Sequence, residues 1–192
     1  MMVGRLGMTA NGWRGTAVAL VAMAALARLI PHPPNVAPIA AMALFGGAVI
    51  GRPLFAFGVP LLALALSDLV LNALLVGNAF APPDPFVYGS FLLIGVLGFA
   101  LRSRRSIGTI AVASVIGSTL FFVVTNFGVW ATSHLYPRTA AGLGASYVAA
   151  LPFFWPTLVG DLCWAGVLFG AWALAGLMAS SETGRQTPFA GR

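Results

Sequence analysis

Four side chains that could take part in polar chemistry stand inside apolar stretches of the sequence: Asp68, Asn72, Asn126 and Asp161. Asp68 and Asn72 are four residues apart and therefore share one face of a helix. A carboxylate placed in hydrocarbon costs about 3 kcal/mol, so each such group needs a polar partner or a water-filled cavity. The pattern predicts a polar cavity between helices, in which carboxylates and amides bind a small polar molecule.

Aromatic side chains flank these polar groups near the ends of the apolar stretches, at Tyr88, Trp130, Tyr147 and Trp155. An aromatic belt at a membrane interface explains such positions, and so does a stacking wall for a flat ligand. Arg28, in the last turn of the first stretch, could pair with Asp68 or Asp161 only to hold two helices in register. Both alternatives stay open at the level of sequence.

Catalytic and metal-binding patterns do not occur in the sequence. His32 and His134 are not part of a His-Glu-x-x-His motif, Cys163 has no histidine nearby, and there is no glycine-rich phosphate loop. We therefore expect no enzyme activity, no catalytic residue, no metal and no cofactor. An intramembrane enzyme built on the scattered carboxylates is the least favoured class.

The composition indicates which solvent surrounds the helices that position these groups. Hydrophobic residues make up 59% of the chain and charged residues only 7%, which is too little polar surface for a water-soluble globule. The net charge of +6 comes from arginines between apolar stretches, so it indicates topology and not a nucleic-acid surface. Six apolar runs are predicted to be helices: Thr16–Ile30, Val36–Ile50, Leu54–Val76, Phe86–Leu101, Ile107–Trp130 and Trp155–Met178.

The fold class predicted from these runs is an all-α integral membrane protein, a six-helix transmembrane bundle with both termini in the cytoplasm, in the cell inner membrane. The orientation follows from the positive-inside rule, which keeps Arg52 and the cluster Arg102, Arg104 and Arg105 inside. Residues 1–15 are then a cytoplasmic segment, 16–179 the transmembrane domain and 180–192 a cytoplasmic tail. The second run is about 22 Å long as a helix, against a hydrocarbon core of about 30 Å, so a re-entrant segment is the alternative there.

This orientation puts the strongly polar side chains in the outer half of the bundle. We therefore expect a cavity that opens outward and is covered by two segments, Pro31–Pro38 and Tyr136–Phe154. Small residues recur four apart and predict close helix packing within the subunit or against another subunit: Gly47 with Gly51, Ala113 with Gly117, Gly166 with Gly170 and Ala171 with Ala175.

A family resemblance extends from Arg28 to about Gly170. It is carried by Arg28-Leu29-Ile30-Pro31, Pro34-Asn35-Val36-Ala37-Pro38-Ile39-Ala40-Ala41, Ser67-Asp68-Leu69, Thr125-Asn126-Phe127-Gly128-Val129-Trp130, Tyr136-Pro137, Gly142-Leu143, Leu151-Pro152-Phe153-Phe154 and Gly160-Asp161. These strings resemble an uncharacterised bacterial membrane family. That family in turn resembles the substrate-binding S components of energy-coupling factor (ECF) transporters.

The resemblance implies six helices and a vitamin-sized ligand held near the outer face, under the loops after the first, third and fifth helices. The first of these loops contains Asn35. It also implies an ECF coupling subunit and ATPases as partners. Two departures stand out: the first helix offers only Gly15 with Ala19 in place of an Ala-x-x-x-Ala docking pair, and position 2 is not the histidine of nickel and cobalt members.

The expected function is that of a membrane-embedded protein that binds and takes up a small, vitamin-like molecule or precursor. The alternative is a membrane scaffold or assembly subunit without transport activity. The bilayer and a small-molecule ligand are the expected partners, and nucleic acid is not. The candidate substrate-binding residues are Asn35, Asp68, Asn72, Tyr88, Asn126, Trp130, Tyr147, Trp155 and Asp161.

Overall fold

The computed structural model describes residues 10–30, 35–78, 80 and 82–185. The all-α prediction is confirmed, since these residues form helices and connecting turns and contain no strand. The predicted cytoplasmic segment, the first half of the Pro31–Pro38 cover and the end of the tail lie largely outside the described residues. The helices are α1 (Ala10–Ala27), α2 (Ile39–Val49), α3 (Pro53–Leu71), α4 (Pro85–Ala100), α5 (Ile107–Thr132) and α6 (Ala140–Arg185), and a π-helix, Asn72–Val76, continues α3.

Three of these helices are long and apolar enough to cross a membrane. The three stretches are Pro53–Leu75, Ile107–Thr132 and Ala140–Ser180, and the remaining apolar helices are shorter. Large apolar side chains on them face outward, among them Leu54 and Leu75, each 79% exposed. Such an apolar outer surface is suited to lipid and not to water, which indicates a membrane protein.

Helix α2 is the centre of the bundle and contacts each of the other five helices. Every residue from Ala40 to Ala48 is buried. Its 11 residues span only about 16 Å, roughly half of a hydrocarbon core. The helix begins three residues later than the run predicted from sequence, because Pro38 precedes it and the hydrogen-bonded turns start only at Ile39. Five surrounding helices therefore enclose a helix that fills only part of the interior.

Glycines allow α2 to approach α4 closely. A Cβ atom at Gly47 would overlap the carbonyl oxygen of Gly95, and one at Gly98 would lie 2.5 Å from the carbonyl oxygen of Leu44. The sequence pairs Gly47 with Gly51, but a Cβ at Gly51 would meet no atom within 4 Å. Gly47 thus packs on the glycines of another helix, as small residues do in membrane bundles.

Helix α6 differs most from its prediction. The sequence predicts no helix between Trp130 and Trp155, whereas the structure continues one helix from Ala140 through Pro152 and Pro156 to Arg185. Thr139 begins it, because its Oγ1 accepts a hydrogen bond from the N–H of Gly142 at 3.1 Å. Each proline removes one backbone donor, which is why the sequence favours a break there. Most of the expected Tyr136–Phe154 cover is therefore helix and not loop.

The bundle has two ends, which we name after the arginines found there. At the Arg28 end, α1, α3 and α5 finish and α2, α4 and α6 begin, because Arg28 contacts Asp68 at the end of α3 and Asp68 contacts Tyr88 at the start of α4. At the Arg102 end, the loop after α4 contacts the carboxyl end of α2.

Candidate functional site

The central helix begins at a buried carboxylate. Asp161 of α6 is 2% exposed and accepts a hydrogen bond from the hydroxyl of Ser118 at 2.7 Å. The backbone N–H groups of Ala40 and Ala41, in the first turn of α2, also donate to this carboxylate. First-turn N–H groups have no partner within their own helix, and a negative charge there is stabilised by the helix dipole. The space beside Asp161 is too small for a water molecule, so Asp161 caps α2 instead of facing a cavity.

Two cavities with polar lining residues lie near the Arg28 end of the bundle. We call the larger one the Asp68 cavity. Its volume is about 570 Å³. Ile39, the first residue of α2, lines this cavity, so the cavity lies at the amino end of the short central helix. Its polar lining residues are Arg28, Asp68, Asn72, Asp84 and Tyr88, and its apolar lining residues are Ile39, Ala65, Leu69, Phe80, Pro82, Pro83, Val87 and Phe121.

A network centred on one carboxylate joins three helices at this cavity. Arg28 Nη2 donates to Asp68 Oδ1 at 2.7 Å, and the hydroxyl of Tyr88 donates to Asp68 Oδ2 at 3.0 Å. Arg28 Nη1 donates to the hydroxyl of Ser67 and to the carbonyl oxygen of Leu64 at 3.4 Å. The ion pair links α1 to α3 and the phenol links α3 to α4.

Burial differs between the two partners of the ion pair. The side chain of Arg28 is 8% exposed, while that of Asp68 is 26% exposed. The Nε of Arg28 is buried without a hydrogen-bond partner among the described residues. The arginine therefore lies behind the carboxylate, and the carboxylate is the group that meets the cavity.

A change of helix type positions Asn72 at the rim of the same cavity. The α-helix α3 becomes a π-helix at Asn72, and the carbonyl of Asn72 accepts the N–H groups of Gly77 and Asn78. Gly77 then turns the chain with φ of 74°, a conformation that glycine adopts without strain. Single π-turns inside α-helices are frequent at functional sites, which fits this placement.

A second, smaller cavity of about 360 Å³ lies between α5, α6 and the residue Asn35; we call it the Asn126 cavity. Asn126 Nδ2 donates to the carbonyl of Phe122 at 2.8 Å, which leaves its Oδ1 as an acceptor. Asn35 has a φ of 66°, a left-handed conformation that asparagine tolerates better than most residues. Phe121 lines both cavities and thus stands between them.

The remaining predicted residues line neither cavity. Trp130 Nε1 donates to the carbonyl of Pro137 at 2.9 Å, and the guanidinium of Arg138 lies 5.9 Å from its ring centre. Tyr147 donates to the carbonyl of Val123 at 2.9 Å, which ties α6 to α5. Trp155 is 67% exposed.

The sequence predicts a single cavity for the nine candidate residues, but the structure distributes them over several places. Asp68, Asn72 and Tyr88 share the Asp68 cavity, and Asn35 and Asn126 share the smaller one. Sequence reasoning missed Asp84 and Phe121 as lining residues. A signal existed for Asp84, which stands directly before Pro85 and is typical of a helix N-cap, but none existed for Phe121, one of many phenylalanines in an apolar run.

The Arg102 end carries a different arrangement of charge. Arg102 donates from Nε to the carbonyl of Gly47 at 2.9 Å and from Nη2 to that of Ile50 at 2.7 Å, and its guanidinium lies 4.0 Å from the ring centre of Phe99. A cation at these last carbonyls is stabilised by the helix dipole. Beside it, Arg105 lies over the ring of Trp172 at 5.2 Å, and burial, then the charge of Arg102, lower the pKa of Arg105.

In the part of the chain that is described, no three His, Cys, Asp or Glu side chains stand close enough together to hold a metal ion. The polar groups of the two cavities are a carboxylate network and amides, which bind organic molecules by hydrogen bonds and charge.

Comparison with known proteins places the chain in a family. The model of a family described as "Family of unknown function (DUF6580)" matches residues 11–183. The chain belongs to the DUF6580 family. The match covers both cavities and all six helices except the first residue of α1 and the last two of α6. No curated protein and no solved structure matches this DUF6580 chain.

Proposed function

We propose that this DUF6580 protein binds a small organic molecule in the Asp68 cavity and takes it up across the cell inner membrane, in the manner of an S component. The single observation that supports this most is the cavity of about 570 Å³ lined by Asp68, a carboxylate with an ion-pair partner behind it and open space in front. Binding sites for small molecules commonly have volumes of about 300–1,000 Å³, with a few polar groups among apolar ones.

A buried ion pair is seldom more stable than an apolar replacement of the same volume, so stability alone is weak grounds for Arg28 and Asp68. An ionisable group at membrane depth is by default a functional-site hypothesis. The open side of Asp68 supports a recognition role over a purely structural one, for which full burial would serve better.

The proposed topology is six crossings with both termini in the cytoplasm. Arg52, Arg104 and Arg105 accompany Arg102 at its end of the bundle, which would place that end inside by the positive-inside rule. The Asp68 cavity would then open to the outside. Helix α2 is too short to cross alone, but irregular backbone is tolerated at membrane depth where protein surrounds it. Residues 35–38 and 50–52 would complete this crossing inside the other helices.

Uptake requires a source of energy, and the S-component resemblance implies a coupling subunit with ATPases as partners. A second candidate function, that of a scaffold subunit, is favoured by one observation on α6. A Cβ atom at Gly166 or at Gly170 would meet nothing within 4 Å, so this small-residue face has no neighbour among the described residues. Such a face permits close docking of another membrane helix.

The test of the proposed function is a comparison of two tryptophan variants on neighbouring residues of α3. Ala65 lines the Asp68 cavity, whereas Leu66 points away from it and is 57% exposed. Ala65→Trp should fill the cavity, and Leu66→Trp should add the same bulk facing lipid. Small molecules released by denaturing each gently purified protein would be identified by mass spectrometry.

We expect one compound to be released by the wild-type protein and by Leu66→Trp, and at least tenfold less of it by Ala65→Trp. Recovery of equal amounts from both variants would place the ligand elsewhere. Release of no compound from any of the three, together with stable recovery only in complex with other membrane subunits, would overturn the proposal in favour of the scaffold.

A further inference from the structure

The Asp68 cavity concentrates the few acidic residues of a basic chain. The sequence has only four acidic residues against ten basic ones, yet Asp68 and Asp84 both line this cavity. Among the described residues that line it, Arg28 is the only basic one, and its charge is already paired with Asp68. These described lining residues thus carry one more carboxylate than cations, although the net charge of the whole chain is +6.

The groups that meet the open space are mainly hydrogen-bond acceptors. Asp84 uses Oδ1 to cap α4, accepting the N–H groups of Phe86 at 2.8 Å and Val87 at 3.3 Å, so its Oδ2 stays available as an acceptor. Tyr88 gives its hydroxyl proton to Asp68 and can only accept a further hydrogen bond. Arg28, the charged donor among the described lining residues, is 8% exposed and lies behind the carboxylate.

Aromatic rings complete the lining. Phe80, Tyr88 and Phe121 contribute rings from the loop after α3, from α4 and from α5. The face of an aromatic ring carries negative potential and attracts a cation that approaches it, and this attraction grows when water is excluded. The rings and the carboxylates therefore both favour a ligand group with a positive charge.

We infer that the Asp68 cavity takes a small organic cation, a protonated amine that carries an apolar or aromatic body. The ammonium group meets Asp68, Asp84 and the acceptor oxygen of Asn72, while the body packs against the rings and prolines. An organic anion of the same shape meets an excess carboxylate instead and finds no exposed cation among the described lining residues. This inference names the ligand class of the proposed site and so rests on the proposed function.

The experiment measures the binding of three probes of similar size to the full-length protein in lipid nanodiscs, by isothermal titration. The probes are 2-phenylethylamine, which is cationic at pH 7, its neutral counterpart 2-phenylethanol, and the anion phenylacetate. We expect the amine to bind at least tenfold more tightly than the alcohol, and the carboxylate to bind most weakly.

The decisive variant is Asp84→Asn. Asparagine is as good an N-cap as aspartate, so α4 keeps its start while the cavity loses one negative charge. The matched control is Glu182→Gln, which removes the same charge near the end of α6. We expect Asp84→Asn to weaken amine binding about tenfold and to leave binding of the alcohol unchanged, and the control to change neither.

The possible outcomes distinguish a failure of the cation inference from a failure of the proposed small-molecule function. Equal binding of amine and alcohol, or tighter binding of phenylacetate, would overturn the cation while leaving a small-molecule site in place. An equal loss of amine binding in Asp84→Asn and Glu182→Gln would also overturn it, because the effect would then be long-range. If the wild-type protein bound none of the three and released no compound on denaturation, the inference would fall together with the proposed function.

Discussion

The two ends of the bundle use the same residue type for opposite purposes. At the Arg102 end, the guanidinium binds the last carbonyls of α2 and covers the ring of Phe99, and glycines bring α2 and α4 into contact. At the Arg28 end, the guanidinium pairs with Asp68, and a cavity opens in front of the pair. One arginine closes a helix end, and the other holds a carboxylate toward open space.

The difference originates in the length of the central helix. Because α2 has only 11 residues, it fills the interior toward the Arg102 end and extends no further toward the Arg28 end than its first residue, Ile39. Asp161 accepts from backbone N–H groups at its amino end and Arg102 donates to carbonyls at its carboxyl end, so helix-end groups that lack a partner within the helix are paired by side chains. The Asp68 cavity lies at the amino end of this helix, where Ile39 is one of its lining residues.

The largest loss of stability is expected from Gly47→Ala, which adds a methyl group where α2 packs closely on α4. The new methyl group would overlap the backbone of Gly95, and backbone cannot move aside as a side chain can. Overpacking typically costs about 1–3 kcal/mol, and an overlap with backbone should lie at the upper end of that range. Unfolding of the purified protein by a titration with a denaturing detergent would measure it.

Gly51→Ala is the control for this change, because a methyl group there meets no atom within 4 Å. We expect its stability to stay within about 0.5 kcal/mol of the wild type. Equal losses in the two variants would contradict the close approach of α2 and α4.

The next effect separates the two arginines by function. Arg28→Met leaves the partly buried carboxylate of Asp68 without its partner and should cost about 2 kcal/mol, below the range for fully buried pairs because Asp68 is 26% exposed. It should also change the affinity for the small molecule by at least tenfold, because both the charge and the position of Asp68 in the cavity depend on Arg28. Detergent unfolding and titration with the compound released by the wild-type protein would measure the two effects.

Arg102→Met is the counterpart at the other end. It should cost a similar amount, about 2 kcal/mol, because charged hydrogen bonds to the carbonyls of α2 are lost. Ligand binding should persist in whatever fraction stays folded. A loss of binding in folded Arg102→Met protein would contradict this division of roles, because it would show that the two ends are not independent.

The smallest effect is expected from Tyr88→Phe. The change removes one hydrogen bond to Asp68 Oδ2 and keeps the ring, so stability should fall by about 1 kcal/mol or less. Ligand affinity should change by less than tenfold, since the freed Oδ2 can accept from the ligand instead. A complete loss of binding would mean that the phenol itself contacts the ligand through its hydroxyl.

The sequence predicted the positions of most helices, and the reasons are specific. Pro53 and Pro85 mark helix starts, and α3 and α4 begin there, within one residue of the predicted runs. The spacing of Asp68 and Asn72 correctly placed both on one face, and both line the same cavity. Local signals of this kind are readable because they depend on neighbours along the chain.

What could not be predicted depends on contacts between distant residues. Pro152 and Pro156 favour a break by local rules, but the helix continues because its flanking turns pack along α5, as the bond from Tyr147 to Val123 shows. Asp161 looks from sequence like a cavity residue, and only its contact with the start of α2 shows that it is a cap. Phe121 has no signature at all, since its importance comes from lying between two cavities.

An outward-facing binding cavity is tested most directly by the accessibility of a cysteine placed inside it. Asn72→Cys in a Cys163→Ala background places one thiol in the lining of the Asp68 cavity, and Ser103→Cys places one in the loop at the Arg102 end. Intact cells would be treated with a membrane-impermeant maleimide, with and without the small molecules released from denatured wild-type protein. We predict that the Asn72 position is labelled from outside, that the released molecules slow this labelling at least fivefold, and that the Ser103 position is not labelled. Labelling of Ser103→Cys from outside, or labelling of Asn72→Cys at an unchanged rate, would contradict an outward-facing binding cavity.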